Sequence, residues 1–192
     1  MTEFVALDFE TADFGADSAC AIALVRVRDN QIIKRTYSLI RPPRSYFRFT
    51  HIHGIRWSDV ADQPSFGELW PAIAAEFDGV EFVAAHNAAF DRGVLAACCA
   101  MASVPMPQVR FECTVKLARR VWKLRPANLA AVSQFLNIPL NHHQALSDAG
   151  RHVPEDVSIV SFDNDELAAY LRPGLTTIEL PHEEMGRTAV RL

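Results

Sequence analysis

The chain has 192 residues, 49% hydrophobic and 22% charged, with Lys+Arg 19 against Asp+Glu 23 for a net charge of −4. That length suits one domain with a sizeable core, and the apolar fraction, with Gly 8 and Pro 11, excludes disordered, collagen-like and low-complexity chains. No apolar run approaches the roughly 20 residues of a membrane helix, and no basic and apolar leader precedes the first strand-like run, so a cytoplasmic protein without a membrane partner is expected.

In chain order, residues 4–7 form a short apolar run ending in Asp8-Phe9-Glu10, which reads as a buried strand delivering acids at its C-terminal end. Residues 20–27 and 32–40 are rich in β-branched side chains, and Asp29-Asn30 between them is a turn signal, so the two make a hairpin. Residues 41–57 mix prolines, aromatics and bases without a period and read as a loop with short helical pieces. Phe66, Leu69, Trp70, Ile73 and Phe77 recur at helical spacing. Residues 80–85 are another apolar strand, 90–102 a helix with Asp91 in its first turn, and 109–113 a short strand. Thr114 is the expected N-cap of a helix to about Trp122. Leu129, Val132, Phe135 and Leu136 predict a helix stopped by Pro139. A helix over 144–153 is limited by Pro154; strands at 157–162 and 176–180 flank a short helix at 166–171. Three strands followed by alternating helix and strand imply an α/β fold, a mixed sheet with helices on its faces.

Cys20, Cys98, Cys99 and Cys113 lie in apolar stretches without a CxxC pair, so reduced buried thiols are expected. The charge is unevenly placed. Residues 1–149 carry 15 Lys+Arg and 15 Asp+Glu, whereas residues 150–192 carry 4 and 8, which accounts for the whole excess. Arg110, Lys116, Arg119, Arg120, Lys123 and Arg125 cluster with only Glu112 opposing them, and Arg41, Arg44 and Arg48 form a second group. Such groups contact phosphates or simply make a solvated face; charge alone leaves both open.

Three segments carry the chemistry. Asp8 and Glu10, two apart on a strand, point to one face and can approach one cation. His86-Asn87-Ala88-Ala89-Phe90-Asp91 follows a second buried strand and opens a helix, where Asp91 by itself is also a fitting helix-dipole acid. His143 stands five residues before Asp148; alone, it reads equally as a capping or surface histidine.

Together, Asp8-Phe9-Glu10-Thr11, His86-Asn87-x-x-Phe90-Asp91 and His143-x-Ala145-x-x-Asp148-Ala149 closely resemble the DEDDh exonucleases of the DnaQ-like type. His53-Gly54-Ile55 and Cys113-Thr114-Val115-x-Leu117-Ala118-Arg119 resemble the family's connecting segments. The resemblance covers residues 1–149. It implies a ribonuclease H-like five-stranded mixed sheet flanked by helices, and 3′–5′ hydrolysis of nucleic acid with a free 3′ end, single-stranded DNA above all. It further implies two divalent cations, Mg²⁺ or Mn²⁺, about 4 Å apart. On the family pattern Asp8, Glu10 and Asp148 would hold one cation, and Asp8 would bridge to the second with Asp91 in support. His143, rather than its neighbour His142, would be the general base; Thr11 and His53 would contact the terminal nucleotide. A DNA polymerase is a further partner known to such enzymes. A nucleic-acid-binding module with an impaired site is the alternative.

After Ala149 the resemblance stops. The run Val153-Pro154-Glu155-Asp156-Val157-Ser158-Ile159-Val160-Ser161-Phe162-Asp163 and its continuation through Arg187 resemble the C-terminal part of the effector-binding domain of LacI/GalR-type regulators. Asp163 matches an effector-contacting position there, but about 40 residues cannot rebuild a two-lobed domain. The expected organisation is an exonuclease domain at 1–149 and a short, foreign-looking α/β segment at 150–192 that is not an independent domain. A small-effector-binding regulator fragment is the remaining function class.

Overall fold

The computed structural model describes residues 2–138 and, for the backbone, two short strands near the C-terminus. Within 2–138 the strands are β1 (Glu3–Thr11), β2 (Ala19–Arg28), β3 (Gln31–Leu39), β4 (Phe82–Ala85) and β5 (Arg110–Cys113). They form one sheet in the order β3-β2-β1-β4-β5. β1 runs antiparallel to β2 and β2 to β3, whereas β1, β4 and β5 are parallel neighbours. This is the expected ribonuclease H-like mixed sheet.

The hairpin forms where Asp29 and Asn30 both take positive φ, 48° and 63°, the left-handed pair that a tight two-residue turn demands. Helices α1 (Thr50–His53) and α2 (Trp57–Val60) occupy the irregular segment. The helix predicted over 66–77 is α3 (Phe66–Ala74), closed by a 3₁₀ turn at Ala75–Phe77. Its N-terminus carries a reciprocal cap: Ser65 Oγ accepts from the Glu68 amide, and Glu68 Oε2 accepts from Ser65 N–H at 2.7 Å. α4 (Ala88–Ala102), α5 (Thr114–Val121) and α6 (Leu129–Phe135) complete the set. None of the described helices is long and apolar enough to cross a membrane.

The main core lies between one sheet face and helices α3 and α4. Val5, Leu7 and Phe9 alternate inward from β1 and meet Ile22 and Leu24 of β2, Phe66, Trp70 and Ile73 of α3, and Val94, Leu95 and Cys98 of α4. Each such side chain, fully buried, contributes about 1.5–3 kcal/mol. A second cluster of Cys20, Ala21, Ile55 and Val60, with Tyr37, Phe47 and Trp57 against it, pins the 47–60 segment beside the sheet. A third, of Ala118, Ala127, Val132 and Leu136, joins α5 to α6. Cys20, Cys98 and Cys99 are buried free thiols as expected, and Cys113 is half-buried.

Thr114 is not the N-cap. Cys113 holds that position without a side-chain cap bond, and Thr114 is the first helical residue. Its hydroxyl is taken by His86 Nδ1 at 2.9 Å and reaches the Ala85 carbonyl at 3.4 Å. Of the strands predicted at 157–162 and 176–180, the described residues form β6 (Val160–Phe162) and β7 (Thr176–Ile178), which pair with each other in parallel. The helices predicted at 144–153 and 166–171 lie outside the described residues, as do His142, His143, Asp148 and Asp163.

Candidate active site

Asp8 and Glu10 leave the sheet at the C-terminal end of β1, on the face opposite the alternating Val5, Leu7 and Phe9. β4 pairs with β1 only from Phe4↔Phe82 to Ala6↔Ala84, then turns away into α4. The β1 backbone beyond that pairing therefore needs another partner on the β4 side. Asp91, in the first turn of α4, supplies it: its Oδ1 accepts the Phe9 N–H at 3.2 Å. The turn into α4 is made by Asn87 at φ 70°, a left-handed conformation that asparagine tolerates better than most side chains. Chain geometry thus brings a strand pair and a helix residue, the bonded Phe9 and Asp91 being 82 positions apart, to one point.

The three carboxylates work against one another. Burial and the charge of Asp8 push Glu10 up to about 7. Burial, then Asp8, push Asp91 up to about 7, against the Phe9 amide, which holds it down. Densely packed surroundings also raise Asp8. The Asp8 side chain nevertheless reaches solvent, which screens this penalty, whereas Asp91 is only 2% exposed. No basic side chain among the described residues pairs with any of the three. Hard oxygen donors crowded without a counter-charge fit a divalent cation. Among the described residues, no group of three or more His, Cys, Asp or Glu side chains is by itself arranged to hold a metal. The expected fourth carboxylate, Asp148, and the base, His143, lie outside them.

Thr11, at the β-bulge that ends β1, is buried. His53 is buried as well and braces the same point. The Ile55 N–H donates to His53 Nδ1 at 3.1 Å, so the ring proton is assigned to Nε2, which donates to the Thr11 carbonyl at 3.2 Å. The structure therefore brings Asp8, Glu10, Asp91, Thr11 and His53 to one end of the sheet. Sequence reasoning missed three neighbours. Tyr37 and Cys20 are both pushed up to about 12, burial being the largest cause and the charge of Glu10 a smaller one. The Tyr37 hydroxyl is buried without a hydrogen-bond partner among the described residues, as is Nε2 of His86. His86 ties the β4–α4 turn to the start of α5 through Thr114. Its place in the His-Asn-x-x-Phe-Asp run was a signal; Tyr37 had none, because two strands lie between it and β4.

Exodeoxyribonuclease 10 of Escherichia coli (strain K12) is 36% identical over 134 residues, 66% of this chain and 55% of that protein. The solved structure described as exonuclease X in complex with 5′ overhanging duplex DNA has a TM-score of 0.59 at 30% identity, covering 73% of this chain and 81% of that one. The chain belongs to the DEDDh exonucleases. It spans about half the length of the curated exonuclease relative. The DEDDh pattern is not its sole relationship: residues 83–192 match the model of the periplasmic binding protein-like domain family, to which the chain belongs over that span. The HTH-type transcriptional repressor PurR of Aliivibrio salmonicida is 49% identical over 47 residues, 24% of this chain and 14% of that protein. The first part of the matched span, β4 through α6, is nevertheless built into the exonuclease sheet and the helices beside it.

Proposed function

We propose that this DEDDh exonuclease hydrolyses phosphodiester bonds from the 3′ end of nucleic acid, preferring single-stranded DNA, with two divalent cations, Mg²⁺ or Mn²⁺. The observation that carries the reading is the cluster of Asp8, Glu10 and Asp91, whose mutual repulsion no described side chain relieves. Asp8, Glu10, Asp91 and Asp148 would hold the cations. Once bound, these supply Lewis-acid stabilisation of the charge that builds on the phosphoryl oxygens. His143 would take the proton of the attacking water, a task suited to an imidazole near neutral pH. Thr11 and His53 would receive the terminal nucleotide, and the Phe9–Asp91 bond keeps α4 and β1 in fixed relation while they do so.

A 3′-labelled oligonucleotide incubated with the full chain and Mg²⁺ or Mn²⁺ tests the proposal. Release of nucleoside monophosphates from the 3′ end, stopped by chelation, is expected. Stable association with the strand but no cleavage at any metal concentration would favour the impaired binding module.

A further inference from the structure

The two basic groups of the sequence meet different fates in the fold. The group at Arg41, Arg44 and Arg48 is largely spent on internal contacts. Arg44 bridges Asp13 at 3.0 Å and Asp17 at 2.6 Å, Arg41 reaches Glu68 at 3.4 Å, and the Arg48 guanidinium lies 5.7 Å from the Phe14 ring centre. The group on α5 is not. Lys116, Arg119 and Arg120 are all exposed, and none of their side chains has an ion pair or hydrogen bond among the described residues. Glu112, the acid that opposes them in sequence, is already held by Arg110 at 3.5 Å.

Helix stability does not account for this face. α5 carries no acid in its first turn, where the helix dipole favours one, and has Lys116 there instead. Lys116 is three residues from Arg119 and four from Arg120, so all three lie on one face. Like charges at such spacings cost a few tenths of a kcal/mol per pair. Arg119 and Arg120, in the last turn, would satisfy the dipole without Lys116. The opposite side of the helix is fixed inward by Ala118, with Val115 and Trp122 packed in the same cluster. The cationic face is therefore held toward solvent in one orientation, with no counter-charge among the described residues.

Its position says what that counter-charge is. β5 lies two strands from β1, roughly 10 Å at ordinary strand spacing. α5 starts there, one hydrogen bond from the β4–α4 turn that presents Asp91, and runs on for about 12 Å. A nucleic-acid strand rising about 3.4 Å per nucleotide covers that interval in roughly three to six nucleotides. We infer that the face of Lys116, Arg119 and Arg120 binds the phosphodiester backbone of the substrate strand several nucleotides before its 3′ end. It is an affinity surface separate from the carboxylates. The inference relies on the nuclease reading above for where the 3′ end sits.

The triple variant K116Q/R119Q/R120Q of the full chain tests it against thymidine 5′-p-nitrophenyl phosphate, which is too small to reach α5, and against a single strand spanning two helical turns. The variant is expected to hydrolyse the small ester like the parent. For the long strand KM rises while kcat holds, and the slope of log affinity against log salt falls by about 2, at roughly 0.7 per contact. The parent's affinity advantage then shrinks about 16-fold between 50 and 200 mM salt. The charge-preserving K116R/R119K/R120K restores the slope, and the single R120Q lowers it by about 0.7. An unchanged KM and slope in a folded triple variant overturns the inference, and so does an equal loss on the small ester, which would mark α5 as support for the site. Fluorescence anisotropy of a labelled strand in chelator separates the two readings. If the parent cleaves nothing yet binds with a slope that the triple variant lowers, the nuclease reading fails and the surface stands. If neither chain binds, the surface fails.

Discussion

Asp91→Asn in metal-free protein isolates the cost of the carboxylate cluster. The substitution keeps the shape and an Oδ1 that can accept the Phe9 N–H, and removes a charge that burial and Asp8 disfavour. Asp91 rises from 3.8 to about 7, and at 1.36 kcal/mol per unit that sets a ceiling of about 4 kcal/mol on the penalty at pH 8. The amide accepts the Phe9 bond less strongly than the carboxylate, so a net stabilisation of about 1–3 kcal/mol is expected. For a chain of this size that raises Tm by roughly 2–12 °C. The sign reverses the usual rule for acids. Between pH 4 and 7 the folded chain holds a proton on Asp91 that the unfolded chain has released, so lowering the pH through that window favours folding. Thermal melts in chelator should show the parent gaining stability from pH 8 to 5.5, with Asp91→Asn starting higher and gaining less. Mg²⁺ at pH 8 should raise the parent's Tm more than the variant's. A variant that melts below the parent in chelator, with the same pH slope, would refute the repulsion argument.

Asp8→Asn should abolish cation-dependent release of nucleotides while leaving the circular dichroism spectrum unchanged; full turnover in the folded variant would rule out the assigned site. His143→Ala should slow the chemical step by about 10²–10⁴-fold with His142→Ala near parent rate, measured by single-turnover cleavage. Glu3 provides a contrast to Asp91. Arg28 and Arg26 hold its pKa down to about 2, so its contribution is present above pH 4.5 and is lost as the pH falls toward 2. Glu3→Gln should therefore remove part of the acid limb of the pH–stability curve, read by urea unfolding at pH 2 to 6.

What the chain's own order of residues determined was whatever a short-range period can carry. Alternation along β1 put Asp8 and Glu10 on one face, and Asp29-Asn30 closed the hairpin through its own left-handed backbone. Helical spacing marked α3, and the helix read over 90–102 is α4, which starts two residues earlier at Ala88 and carries Asp91 in its first turn. The spacing of His143 and Asp148 completed the family pattern, although neither lies among the described residues. What only the tertiary structure decided depends on register between distant strands. That β4 leaves β1 after Ala84 frees the Phe9 amide for Asp91, and no local signal marks where a parallel pairing stops. Thr114 read as an N-cap because a hydroxyl before a helix ordinarily serves its own amides; His86, 28 residues earlier, competes for it only once β4 and β5 are side by side. Charge tells the same story. The sequence showed two basic groups, and folding brought acids to Arg44 and Arg41 while placing none of the described acids on the face of α5. Whether a charge is spent or available is set by which surfaces the sheet order brings together, and that order is a property of long-range packing rather than of any window of the chain.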